Sequence, residues 1–422
     1  MEENFLQYIW ANSLFENKTF TAVSGKSISV LDVGRLNRDS GPDFFNARVV
    51  VDGIEWAGNI EIHCSNSDWN RHRHQYDPAY DNVILSVVQV ADVPVYTSKG
   101  REVETVELKF ADRLYEEYLS MKKNRIMPGC RDSLKTVDPF IFQMVLQIMA
   151  VERLERKCKD IKMIWEQTAH DWEETFYRLV CKYWTGNVNA EPFYELAVQL
   201  PCRTLLRYTD RPKSLEALLL GCAGLLDNAL DDDYVKDLKQ EFRYLKNKHQ
   251  LYVMKPEMWK FMRIRPVTFP TLRLALLASF LQKFQPLLSR ILETSQIKEV
   301  FRLMDVEASA YWTTHYQPGC PVKAQKKRMG ESLKRILLIN AVIPFIFLYG
   351  KEQGEERLCD QAIEWLEECP PEDNYITRAW NCKPYVESAL QSQALLEITK
   401  EYCDKQRCLE CRLSTEILKH IE

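Results

Sequence analysis

What this sequence lacks narrows its chemistry first. It has no G-x-S-x-G turn and no glycine-rich loop ending in Lys-Ser or Lys-Thr, which excludes a serine-hydrolase elbow and a P-loop nucleotide site. Glycine and proline are sparse, 14 and 18 of 422 residues, which excludes a low-complexity or collagen-like chain. No segment recurs at a fixed period, so a regular solenoid is not expected. An excess of positive charge is also absent: the net charge is −4, and such a chain does not coat nucleic acid indiscriminately. Long apolar runs are scarce. The most apolar one, Ile336 to Tyr349, is short and holds Asn340 and Pro344, which predicts a buried core helix rather than a membrane span. The opening MEENFLQYIW is acidic and has no apolar stretch, so no secretion signal is expected. The 13 cysteines then read as reduced thiols of a cytoplasmic protein, not as a disulfide framework.

What is present is an ordinary globular composition, 46% apolar and 27% charged, in a chain long enough for two or three packed units. Acidic residues concentrate early. Residues 1–110 hold 10 basic and 16 acidic side chains and the rest hold 46 and 44, so any phosphate-binding surface is expected on the later part. The early part reads as strands at Ser27–Val33, Phe45–Val51, Ile54–Cys64 and Val83–Val90, with an edge strand at Pro94–Thr97. Asp52-Gly53 marks a hairpin between the second and third. A helix is expected before them, Phe5–Phe15, and a short one after the third, within Ser67–Tyr76. From Asp138-Pro139, an N-cap followed by a first-turn proline, the apolar period becomes 3.6. The expected fold class is α+β: a mixed α/β module over residues 1–115, then a large, mostly α-helical domain over residues 116–422 that carries a C-terminal cysteine cluster.

Gly41-Pro42-Asp43 opens one strand and Glu61-Ile62-His63 lies on its hairpin partner, so Asp43, Glu61 and His63 can meet on one face. Two carboxylates and an imidazole suit a divalent cation, Mg²⁺ or Mn²⁺ by the acids and Zn²⁺ by the imidazole. With the order helix, three strands, helix, strand, these motifs resemble those of the PD-(D/E)xK nuclease superfamily, which has a restriction-endonuclease-like fold. That resemblance implies that Asp43 and Glu61 bind metal, with help from the Ile62 carbonyl, and that the site cleaves nucleic-acid phosphodiesters. His63 departs from the pattern by standing where the motif has lysine. Glu3 on the first helix is a further candidate acid.

Three of the 7 histidines, His63, His72 and His74, lie close together. His72 and His74 share a side if their segment is extended and point apart if it is helical. They admit a second reading, a zinc site of His63, His72 and His74 with Glu61 or Cys64. A third use of the same stretch is phosphate binding by Arg71, His72 and Arg73. Near the C-terminus, Cys403, Cys408 and Cys411 form C-x4-C-x2-C, a spacing suited to zinc or an iron–sulfur cluster. Cys382 is the nearest fourth ligand in sequence and Cys130 is the other candidate. Some PD-(D/E)xK exonucleases staple their domain with one early and three late cysteines, and Cys130 with the late triplet resembles that arrangement. Two basic sets, one around Lys323, Lys326, Lys327 and Arg328 and one around Lys260, Arg263, Arg265 and Arg273, can hold a nucleic-acid backbone or simply face solvent.

The whole chain resembles a bacterial family catalogued only as a domain of unknown function, number 2851. The segments that carry this include GRLNRDSGPDFFNARV, GNIEIHCSNSDWNRHRH, EASAYWTTHY, INAVIPFIFLYG and EYCDKQRCLECRL. The family name implies no activity. Its strand more often reads Leu-His-Val where this chain has Leu85-Ser86-Val87, which implies a weakened site here. Two main functions are therefore expected. One is a metal-dependent nuclease at Asp43, Glu61 and His63, with nucleic acid as its partner. The other is a non-catalytic binding protein stabilised by zinc or an iron–sulfur cluster. A metal-dependent oxygenase or hydrolase is a third.

Overall fold

In the computed structural model, which describes residues 1–123, 128–185, 188–227, 232–380 and 386–421, the early strand pattern folds into one sheet. Helix α1 (Glu3–Ala11) comes first. The strands are β1 (Thr19–Thr21), β2 (Ser27–Asp32), β3 (Arg35–Leu36), β4 (Phe44–Val51), β5 (Ile54–Ser65), β6 (Val83–Val90) and β7 (Glu104–Glu107), with the short helix α2 (Ser67–Arg71) between β5 and β6. The sheet order is β1-β2-β4-β5-β6-β7, with β3 paired to β4. Pairing is antiparallel through β5, and β6 and β7 then run parallel to their neighbours. Asp52 and Gly53 close the β4–β5 hairpin with φ of 46° and 86°, the two positive values of a type I′ turn, whose twist matches that of the strands.

The edge strand expected at Pro94–Thr97 is replaced by β7. Pro94 has no N–H for a ladder, and a tight turn from Thr97 to Arg101 folds the segment back, leaving Tyr96 a single bridge to Glu102. A second departure matters more. Alternation along β5 predicts a buried apolar face and a solvated polar one, yet Ile60 and Ile62 are both 0% exposed while Glu61 and His63 are only 5% and 1% exposed. The polar face is covered because α2 packs on it through the fully buried Trp69, which joins Tyr80, Val83, Val95 and Val103 in a small core.

The molecule is thus mixed α+β, with a larger helical part. It divides into two compact units: Met1–Val145 with Arg378–Asn381 and Ile398–Glu422, and Leu146–Thr377 with Cys382–Glu397. The first unit also holds α3 (Asp112–Lys123), which sequence periodicity did not reveal. Helix α4 (Pro139–Gln167) is followed by α5 (Trp172–Tyr183), α6 (Ala190–Gln199), α7 (Cys202–Leu205), α8 (Pro212–Cys222), α9 (Asp233–His249), α10 (Pro270–Leu281), α11 (Phe284–Glu293) and α12 (Ile297–Leu303). Side-chain caps set the starts of α4, α5 and α9. Asp138 accepts from the N–H of Phe140 (2.8 Å), Asp171 from that of Glu174 (3.0 Å), and Asp232 from that of Val235 (2.8 Å).

The apolar core helix expected over Ile336–Tyr349 lies in α13 (Glu331–Leu337), a π-helical turn over Leu338–Val342, and α14 (Ile343–Gln353). Pro344 cannot return an N–H to the carbonyl of Asn340, and the wider turn absorbs that loss. The stretch Glu331–Gln353 is long and apolar enough to cross a membrane by length and composition, but 78% of its apolar window is buried in the protein, as a core helix requires.

The second unit also buries charge. Glu397, 3% exposed, accepts from Arg153 Nη1 (3.2 Å) and Arg156 Nη2 (2.7 Å). Beside it Lys157 Nζ donates to the Ile339 carbonyl (3.2 Å), Asn340 Oδ1 (3.0 Å) and Gln393 Oε1 (2.8 Å), and burial holds this amine well below the usual lysine range. Removing one partner of such a group strands the others. Glu397→Ala is expected to cost about 3–5 kcal/mol in urea unfolding; a loss below about 1 kcal/mol would show that the arginines find solvent instead.

Candidate metal centre

The centre is built on the half of β5 that leaves the hairpin. A register shift between Phe44 and Ala47, with Asn46 at φ 58°, kinks the start of β4. Asp43, just before that kink, is thereby held against Glu61. The two acids brace each other through the backbone: the Asp43 N–H donates to Glu61 Oε2 (3.0 Å) and the Ile62 N–H donates to Asp43 Oδ2 (2.9 Å). Gln7 of α1 donates to Asp43 Oδ1 (2.9 Å), so both oxygens of Asp43 are engaged, while Glu61 keeps Oε1 for other partners. Gln7 carried no sequence signal, since a glutamine on an amphipathic helix reads as surface.

Those other partners are imidazoles. Glu61 Oε1 lies 3.3 Å from His74 Nε2 and 3.5 Å from His63 Nε2, and His63 Nε2 lies 3.3 Å from His72 Nδ1. One ring nitrogen from each of His63, His72 and His74 falls within 4.8 Å of the other two. The segment that carries His72 and His74 is neither helical nor extended. His72 ends α2 in the right-handed region, Arg73 takes φ 65° in the left-handed region, and a 3-10 turn begins at His74. That one reversed residue turns the chain so that both imidazoles face the same point. The His74 ring stacks on Tyr80, with centroids 3.8 Å apart, and so is fixed in orientation. Tyr80 was not singled out in the sequence.

Burial sets the electrostatics. It pushes the Asp43 carboxyl up to about 7, helped by the charge of Glu61, and the Glu61 carboxyl up to about 8. It drives the His63 imidazole down to about 3, with the neighbouring His74 and His72 adding to the effect, and lowers His74 as well. Neutral imidazoles with free lone pairs are the ligand form of histidine. Glu3 is also raised by burial, and its charge acts on Asp43, Glu61 and His74 and is felt from His72, so it faces the same centre. Glu61, His63 and His74 are buried, and His72 is the exposed member through which the centre meets solvent.

The other candidates fall as follows. Cys64 donates to the Met1 carbonyl (3.4 Å), one residue out of phase with His63 on β5. Arg71 is paired with Asp68 (2.8 Å) and Arg73 is exposed, so of the phosphate-binding stretch only His72 joins the centre. Ser86 is the register partner of Glu61 on β6, and its Oγ donates to Asn66 Oδ1 (3.1 Å). Cys130, Cys403, Cys408 and Cys411 line one cavity of about 290 Å³, and the charges of the late three all raise the Cys130 thiol further above its burial-elevated position. Gly129 is required there, because a Cβ would strike the Met121 carbonyl oxygen at the end of α3. Cys382 lies outside the described residues.

A family model described as Protein of unknown function (DUF2851) matches residues 3–375. No curated protein matches the chain, and no solved structure does.

The left-handed residue gives a direct test of how the imidazoles are brought together. Glycine adopts φ 65° freely, whereas a β-branched residue there is strained by about 1–2 kcal/mol. Arg73→Gly is expected to leave the unfolding midpoint in urea nearly unchanged, and Arg73→Val to lower stability by that amount; equal effects would mean that the turn tolerates another backbone conformation.

Proposed function

The chain belongs to the family described as Protein of unknown function (DUF2851), and we propose that its first unit is a metal-dependent phosphodiesterase of nuclease type. Glu61, His63, His72 and His74 hold the cation, with Asp43 as the bracing acid. The convergence of the three imidazoles, with Glu61 Oε1 beside those of His63 and His74, carries this reading. Three nitrogens and one carboxylate oxygen favour Zn²⁺ or Mn²⁺ over Mg²⁺, which prefers an all-oxygen octahedron. A cation in such a set lowers the pKa of a bound water and stabilises charge on a phosphoryl group.

The residues of the chain do the rest. Asp43 and the Ile62 N–H fix the strand that carries Glu61, Tyr80 fixes His74, and exposed His72 leaves one side open, as a catalytic centre needs and a closed structural one does not. The nuclease class is supported by the order of α1, antiparallel β2, β4 and β5, then α2 and the parallel β6, with Pro42-Asp43 opening β4 and Glu61-Ile62-His63 on β5. This is the order that the PD-(D/E)xK resemblance implies. His63 does not replace the motif's lysine in kind. It is buried and held neutral, so it serves as a ligand rather than as a fixed positive charge.

The cysteine cavity favours a second, structural role in the same unit: Cys130, Cys403, Cys408 and Cys411 hold zinc or an iron–sulfur cluster that fastens the C-terminal segment.

Both readings are tested on the purified full chain. Elemental analysis is expected to find zinc or manganese that is lost in Glu61→Ala and His74→Ala. Cleavage of DNA or RNA with Mn²⁺ is expected to fall by on the order of 10³-fold in the same variants; undiminished cleavage by both would remove the assignment. Cys408→Ser is expected to release a different complement, zinc or iron together with the visible absorption of a cluster, while leaving the Glu61 site loaded. A metal content unchanged in Cys408→Ser would show that the four thiols are not ligands.

A further inference from the structure

Two basic segments that are far apart in sequence meet in the helical unit. Arg265 precedes α10, Arg273 lies on it, and Lys326, Lys327 and Arg328 precede α13. Together with Thr185 they line a cavity of about 610 Å³ that has no carboxylate among its lining residues. The volume lies within the range of about 300–1,000 Å³ typical of small-molecule sites.

The cations in it are short of partners. Arg273 is anchored at the backbone, where the indole of wholly buried Trp184 donates to its carbonyl (2.8 Å). Its guanidinium has no ion pair among the described residues, and its Nε is enclosed without a hydrogen-bond acceptor. Burial alone, with no nearby charge contributing, pulls the group down to about 10. The hydroxyl of Thr185 is likewise enclosed and has no partner among the described residues. Lys327, 6% exposed, donates to the carbonyls of Thr313 (2.7 Å) and Gln325 (3.2 Å) and lies 4.4 Å from the centre of the Tyr316 ring, again with no carboxylate. At the rim Arg328 and Lys326 share one acid, Glu307, at 2.9 and 3.6 Å.

Enclosed polar atoms are almost always satisfied, and a guanidinium nitrogen enclosed without an acceptor is among the costlier exceptions. Elsewhere this unit gives its buried arginine a carboxylate, as Glu397 does for Arg153. Guanidinium forks, a hydroxyl and two amines lining one cavity form the donor set that oxygens of a phosphate satisfy. Leu272, Leu276 and Ile336 also line the space, which suits a ring system attached to that phosphate.

We propose that this cavity binds the phosphate of a nucleotide, either free or at the end of a nucleic-acid strand. The site belongs to the second unit and does not rest on the metal centre.

The test is calorimetric titration of the full-length protein with inorganic phosphate, AMP, and oligo-dT carrying or lacking a 5′-phosphate. AMP or the phosphorylated oligonucleotide is expected to bind at least tenfold more tightly than unphosphorylated oligo-dT. Whichever of the two binds better identifies the source. Arg273→Met, which keeps the stem and removes the charge, is expected to weaken binding at least tenfold. Lys326→Ala, an exposed rim change that leaves the fold untouched, is expected to weaken it severalfold. The proposal is overturned if the phosphorylated ligands bind no better than unphosphorylated oligo-dT, if inorganic phosphate binds as tightly as AMP, or if folded Arg273→Met and Lys326→Ala both retain full affinity.

Discussion

The first unit depends on one constraint: the polar face of β5 is sealed from water. Once Glu61 and His63 are buried side by side, everything around them is arranged to make that tolerable. Glu61 has one oxygen bound to a backbone N–H and the other turned toward two imidazoles. Asp43 is tied at both oxygens. The helix and turn that do the sealing supply His72 and His74, so the cover and the ligands are the same short piece of chain. A strand face that exposed these residues would leave two ordinary solvated acids and a histidine with an ordinary pKa.

The four strands around this face were legible because apolar alternation and the Asp52-Gly53 turn fix both period and register. The order of elements was legible for the same reason. The sealing of the polar face was not, because α2 covers it only in three dimensions and β5 reads there like any half-exposed strand. Convergence of His72 with His74 hinged on Arg73, and nothing local marks a non-glycine residue for the left-handed region. The helices of the second unit were visible by their 3.6 period, and α4 also by its aspartate cap. The break at Leu338–Val342 was foreshadowed by Pro344 but not placed, since a proline inside an apolar run can end, kink or widen a helix. The two basic sets read as separate surface runs because their meeting is purely tertiary.

Buried charge is handled in three ways in this protein. In the second unit Glu397 pairs with arginines, and Glu216, itself buried, receives Tyr234 and the Trp312 indole. At β5 the acids are held back from ionising and the imidazoles from protonating. Around Arg273 neither happens: the partly enclosed guanidinium has no carboxylate partner among the described residues. The first arrangement is closed by the chain's own charges; the other two are the places where a cation and an anion are proposed.

Glu61, His63, His72 and His74 all belong to one short stretch, β5 and the turn that follows it. Loop-closure entropy rises with the length of chain enclosed, so this pocket can organise as soon as the strands around it have been made. The four thiols are the opposite case, because Cys130 must wait for Cys403, Cys408 and Cys411. During biosynthesis the two places would therefore form in order, the imidazole pocket as a local event and the thiol cavity only once a far longer loop can close.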